Sequence, residues 1–141
     1  MKPTGPLAFS AGLALQLFAA PSHADAVRDA IDTANRSFVE RFVARDMHGV
    51  SELYTEDACL IAPGAARACG RAAIAAFWAG ARETTRGVSL ETDEVGSAGD
   101  LAYGDGTVHL VGLDGKESSA RYVVVWKRVG GRWMLHRDIW N

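Results

Sequence analysis

After Gly87 the hydrophobic pattern changes period, and that change restricts what this chain can fold into more than any other feature. Upstream, Val27, Ile31, Ala34, Phe38 and Phe42 recur every three or four residues, the spacing that gathers side chains on one face of an α-helix over about Asp25 to Arg45. Asp46 can cap a short second helix running to about Tyr54, which Gly49 weakens, and Asp57 opens a short strand from Ala58 to Ala62 that Pro63-Gly64 ends. The alanine-rich stretch from Gly70 to Ala81 carries Ile74, Phe77 and Trp78 at helical spacing and predicts a third helix. Downstream, the segments Val88 to Val95, Leu101 to Val111, Glu117 to Lys127 and Arg132 to Trp140 are rich in β-branched and aromatic residues. Gly96 to Gly99, Asp114-Gly115 and Gly130-Gly131 separate them as turn signals. Helices first and a strand meander afterwards predict an α+β domain, with three N-terminal helices packed on one face of a mostly antiparallel sheet.

The extreme N-terminus has a different character. Lys2 is followed by the apolar stretch Leu7 to Ala20 and then by Pro21-Ser22-His23-Ala24, with Ser22 and Ala24 supplying small residues at −3 and −1 of a cleavage site. The apolar stretch is too short to cross a bilayer as a helix, which takes about 20 residues. Residues 1–24 are therefore expected to be a secretory signal peptide, and residues 25–141 one exported domain, periplasmic or secreted, without membrane attachment after cleavage. The 15 Lys and Arg balance against 17 Asp and Glu, with no basic run, so nucleic acid is not an expected partner. Cys59 and Cys69 enter an oxidising compartment in this reading, where two thiols so spaced can pair. The alternative is two small buried residues that never meet.

Several local motifs carry a family resemblance: Asp57-Ala58, Pro63-Gly64, Gly70-Arg71-x-x-Ile74-x-x-Phe77-Trp78, the segment Arg121 to Lys127, and the ending His136-Arg137-Asp138-Ile139-Trp140-Asn141. In their order and spacing they resemble the SnoaL-like, ketosteroid-isomerase-like branch of the nuclear-transport-factor-2-like superfamily. The resemblance implies a cone of three helices and a curved sheet, open at one end to a small, mostly apolar or ring-containing molecule. Ketosteroid isomerases of that superfamily use a base aspartate on the first strand, a tyrosine on the first helix and a protonated aspartate on a late strand. Segment by segment, this sequence has Ala62 at the first position, Phe38 at the second, and Tyr122, Val123 or Val124 at the third. That mechanism is therefore rejected.

The last segment offers other chemistry. Strict alternation puts Met134, His136, Asp138 and Trp140 on one face and Trp133, Leu135, Arg137 and Ile139 on the other. The resemblance implies that the final aromatic position lines the pocket, which places His136 and Asp138 inside with Trp140. Same-face neighbours on a strand stand roughly 6.6 Å apart, a separation suited to holding one ligand or water between them. Asp138 can then act as a general base or orient His136 as the proton carrier. The alternative is a buried polar pair, with Asp138 bridged to Arg121 or Arg137. Trp78, Phe38 and Trp140 can wall the pocket, His109 on the third strand can face it in alternation with Thr107 and Val111 or instead be an exposed or capping histidine, and one of Arg121 and Tyr122 points inward. His48, His109 and His136 are too scattered for metal-ligand spacing, so neither metal nor cofactor is expected. The row Trp133, Leu135 and Ile139 on the opposite face predicts a homodimer packed sheet to sheet. Function then divides between an acid/base enzyme of lyase, cyclase, isomerase or hydrolase type and a non-catalytic binding or dimerisation module. The two are separated by whether Asp138 and His136 meet an open cavity or are sealed by arginines.

Overall fold

The computed structural model describes residues 1, 20 and 22–141, so all of the expected signal-peptide core except Ala20 lies outside the described residues. The fold runs α1 (His23–Val43), α2 (Met47–Ser51), β1 (Tyr54–Ile61), β2 (Ala68–Cys69), α3 (Arg71–Arg82), β3 (Thr85–Ala98), β4 (Leu101–Gly112), β5 (Glu117–Val129) and β6 (Arg132–Trp140). The strands form one curved, open sheet in the order β2-β1-β6-β5-β4-β3, antiparallel everywhere except between β1 and β6. The helices cover its concave face, giving the expected α+β architecture.

Helix α1 buries Val27, Ile31, Phe38 and Phe42 as the spacing requires. It also buries Asn35, whose Nδ2 donates to Thr92 Oγ1 at 3.1 Å and so stays satisfied. The helix begins inside the segment expected to be cleaved: Ser22 is its N-cap, with Ser22 Oγ accepting from the Asp25 N–H and the Asp25 carboxylate accepting from the Ser22 N–H. No helix among the described residues is long and apolar enough to cross a membrane.

Strand boundaries depart from the sequence pattern where pairing overrides it. The turn expected over Gly96 to Gly99 tightens to Gly99-Asp100, because Ala98 pairs with Leu101 and Gly96 stays in β3 with the Tyr103 ring over it. Gly99 takes φ 61°, which a two-residue hairpin of this twist requires. Strand β1 starts at Tyr54, not Ala58. Helix α2 ends at Ser51, and the Leu135 N–H donates to the Leu53 carbonyl at 2.9 Å, drawing the chain into parallel pairing with β6. A register shift between Tyr54 and Cys59 lets the polar pair Glu56-Asp57 sit exposed within this strand.

The strict alternation expected along the last strand is broken by a bulge. Trp126 pairs with Leu135 and Val125 with Arg137, so His136 is an extra residue in β6. Parity flips there: Leu135 and Asp138 share the concave side, and His136 leaves it. The expected outward row of Trp133, Leu135 and Ile139 is thereby corrected, because Leu135 lines the interior, Trp133 packs against the core, and Ile139 alone is exposed.

Cys59 and Cys69 form a disulfide between paired positions of β1 and β2. It pins the two-residue β2, and with it the start of α3, whose Arg71 Nε donates to the Tyr54 carbonyl at 2.9 Å. Reduction, or paired replacement of both cysteines by alanine, is expected to lower stability by roughly 2 to 3 kcal/mol in the chain-entropy picture. Urea unfolding with and without reductant measures it, and identical midpoints would rule the contribution out.

Candidate functional site

Between the helices and the sheet lies a cavity of about 210 Å³. Helix α1 contributes Phe38 and Phe42, α3 contributes Trp78 and Ala81, and Val88, Leu90, Val108, Leu110, Tyr122, Val124, Leu135 and Trp140 come from the strands. The polar lining is sparse: Thr84 and Thr85 after α3, Tyr122, whose hydroxyl lies 3.2 Å from Thr92 Oγ1, and Asp138. Thr84 is exposed while lining the cavity, so the cavity reaches solvent on that side. The aromatic wall is ordered by mutual packing. Phe38 meets Trp78 edge to face at 5.0 Å between centroids, and Trp78 lies nearly parallel to Trp140 at 6.3 Å.

Asp138 is 6% exposed and carries the cavity's charge. Its Oδ2 accepts from the Tyr54 hydroxyl at 2.5 Å, and Trp78 Nε1 donates to that same hydroxyl oxygen at 3.1 Å. The three side chains form a directed chain from indole to phenol to carboxylate, brought together from α3, β1 and β6. Burial pushes the Asp138 carboxyl up to about 6, against the bond from Tyr54, which favours the anion. Tyr54 is raised well above the usual phenol range, chiefly by burial and then by the neighbouring carboxylate, so it stays a donor.

The structure brings Phe38, Trp78, Tyr122, Trp140 and Asp138 to one cavity and takes the other expected residues elsewhere. His136 does not line it. The bulge turns its ring to the opposite side, where Nδ1 lies 2.9 Å from Thr55 Oγ1 and 3.6 Å from Asp57 Oδ1. Burial, with Arg137 and Lys127 nearby, lowers the His136 pKa. Of the pair Arg121 and Tyr122, the tyrosine points inward. Arg121 is exposed and holds Asp93 at 2.5 Å and Asp105 at 2.9 Å, so it does not bridge Asp138. Arg137 binds the backbone carbonyls of Asp57 and His136 and does not bridge Asp138 either. His109 is exposed beside Glu91 at 3.6 Å, on the side of β4 away from the cavity. Of the positions matched to the isomerase residues, Phe38, Tyr122 and Val124 line the cavity, Val123 points outward, and Ala62 is buried just beyond β1. The sequence pattern assigns Tyr54 to the end of the second helix, whereas it is the first residue of β1. Its signal was the β-favouring pair Tyr54-Thr55 directly after Leu53.

Residues 35–136 match the family model of the SnoaL-like domain. Solved structures share the fold. A nuclear-transport-factor-2-like protein with a cystatin-like fold from Novosphingobium aromaticivorans is 24% identical, covering 80% of this chain and 79% of that one at a TM-score of 0.69. A similar protein of unknown function from Pseudomonas putida is 23% identical over 82% of this chain and 86% of its own, with a TM-score of 0.70. A ketosteroid isomerase-like protein from Erwinia carotovora atroseptica is 22% identical over 79% of this chain and 92% of its own, with a TM-score of 0.66. No curated protein matches the sequence.

Proposed function

Because this chain belongs to the SnoaL-like domain family, we propose that it is an exported protein whose cavity holds a small, mostly apolar molecule against Asp138, and that this carboxylate moves a proton to and from the ligand. One observation carries the reading: a buried carboxylate lines an apolar cavity, with no arginine or lysine partner among the described residues. Tyr54 occupies Oδ2 and leaves Oδ1 for the ligand. As carboxylate, Asp138 takes a proton from an acidic C–H or O–H of the ligand, and as the acid it returns that proton to another atom. Tyr54 holds the orientation throughout. A carboxyl near 6 performs both steps close to neutral pH, where one near 4 is a weak base. The ketosteroid isomerase arrangement is not invoked, since Ala62 and Phe38 carry no proton.

The test follows Asp138 itself. Carboxyl NMR from pH 4 to 8 should show one signal titrating near 6 that is absent from Asp138→Asn. An enolisable ring ketone, 2-tetralone, should exchange its α-protons with deuterated water faster with wild type than with that variant. A carboxyl titrating near 4, or equal exchange by both proteins, defeats the proposal.

The exported state and the dimer belong to the same reading. Export predicts a recovered mass for a chain beginning at Asp25, shorn of the Ser22 cap; an intact N-terminus on the exported protein excludes the cleavage site. The dimer would use the convex face of the sheet, where Ile61, Ile139 and Val123 are exposed and consecutive in register across β1, β6 and β5. Light scattering at micromolar concentration should give twice the chain mass, and Ile139→Lys should halve it. A monomeric wild type ends the idea.

A further inference from the structure

Among the described residues Asp138 has no counterion in the cavity: the nearby arginines of α3 are held elsewhere, Arg71 on the Tyr54 carbonyl and Arg82 on the carbonyls of Phe42 and Thr85. From β1 it meets Tyr54, from α3 Trp78, and from β5 its register partner Val124 and then Tyr122; α1 presents Phe38 and Phe42, and β6 adds Trp140. None of these side chains is a cation. The charged neighbours in sequence, His136 and Arg137, turn to Asp57 on the other side of the sheet. Removing an ion from water without a partner is costly, and a neutral ligand leaves that cost unrelieved. An anionic ligand adds repulsion. A ligand bearing one positive charge supplies what the wall omits, and the faces of Trp78, Trp140 and Phe38 attract the same charge through their ring quadrupoles.

We propose that the ligand class of this cavity is an organic ammonium ion, an apolar body carrying a single positive charge, seated with the charge against Asp138 and the body among the aromatic rings. The inference rests on the small-molecule reading above and narrows it: phosphorylated, sulfated and carboxylate ligands are excluded, and an amine outcompetes a neutral compound of equal shape.

The experiment uses the exported chain and two probes of matched shape, benzyltrimethylammonium and neopentylbenzene, with binding followed by calorimetry and by the fluorescence of Trp78 and Trp140. The cation is permanent, so any pH dependence belongs to the protein. At pH 8 wild type is expected to bind the cation at least tenfold more tightly than its neutral counterpart. At pH 5 the carboxyl, with its pKa about 6, is mostly protonated, and the preference should shrink by up to about tenfold. Asp138→Asn should show no preference at either pH, while Tyr54→Phe, which loses the bond that holds the carboxyl pKa down, should show its preference only at a higher pH than wild type does. Equal binding of both probes by wild type at pH 8 overturns the ammonium inference and leaves the apolar-cavity reading standing. Failure of both probes to bind overturns both. A preference that survives in Asp138→Asn, or that is unchanged between pH 8 and pH 5, places the recognition elsewhere and overturns the inference. The wild-type pH comparison stands whether or not the Asp138→Asn variant folds.

Discussion

Asp138→Asn is expected to be more stable than wild type at pH 8, by about 3 kcal/mol, and to lose that advantage by pH 4. Burial raises the Asp138 carboxyl to about 6 from an unfolded value near 3.8, and each unit of difference is worth about 1.4 kcal/mol. The folded state therefore binds the proton more tightly than the unfolded chain does. Stability from this group is complete below about pH 4 and is lost as pH rises through 6, the reverse of an ordinary salt-bridged aspartate. Asparagine has the same shape, still accepts from the Tyr54 hydroxyl, and ionises at no pH. Subtracting the variant's urea-unfolding profile from that of wild type between pH 4 and 8 isolates the term. A variant equal to or less stable than wild type at pH 8 would mean that the carboxylate is compensated in place. Burial without a counterion at a cavity wall has the form of stability given up for a site.

Tyr54→Phe is expected to cost about 2 to 3 kcal/mol at pH 8 and clearly less at pH 4. The hydroxyl donates a charge-assisted bond to ionised Asp138, a class worth about 1.5 to 3 kcal/mol. Its loss also leaves Trp78 Nε1 without an acceptor. The Asp138 carboxyl should titrate further above 6, since the one interaction holding it down is gone. In an Asp138→Asn background the same substitution should cost about 1 kcal/mol, and the difference between the two backgrounds is the coupling of the pair. Additive costs, with no movement of the carboxyl titration, would show that the hydroxyl does not support the anion.

Much of the fold was legible because the chain's two periods are clean. Ile31, Phe38 and Phe42 face the core as their spacing demands, and Gly130-Gly131 turn one strand into the next, with positive φ at both. The aromatic wall followed from helical spacing at Trp78 and from the last aromatic of β6. Misreadings share a cause, which is pairing geometry that no single segment encodes. The bulge at His136 is set by β5 opposite it, and one extra residue sent the expected proton carrier to the other side of the sheet. Tyr54 joined β1 because β6, far along the chain, offered its backbone a partner. The short β2 is held by the disulfide and by the Gly70 N–H on the Ala58 carbonyl, not by any propensity of two residues.

The parallel pairing of β1 with β6 also sets a temporal order. Tyr54 and Asp138 stand 84 positions apart and their strands are neighbours in the sheet, so the intervening chain must be threaded back before the site exists. During synthesis the first part emerges with the β6-facing edge of β1 unpaired, and the hairpins of β3 to β5 can form from local contacts meanwhile. The cavity closes only when the final residues arrive, bringing Asp138 and Trp140 together. Any arrest of synthesis before them yields a chain with most of its strands and an open seam, where the edges of β1 and β5 that β6 would cover stay unpaired.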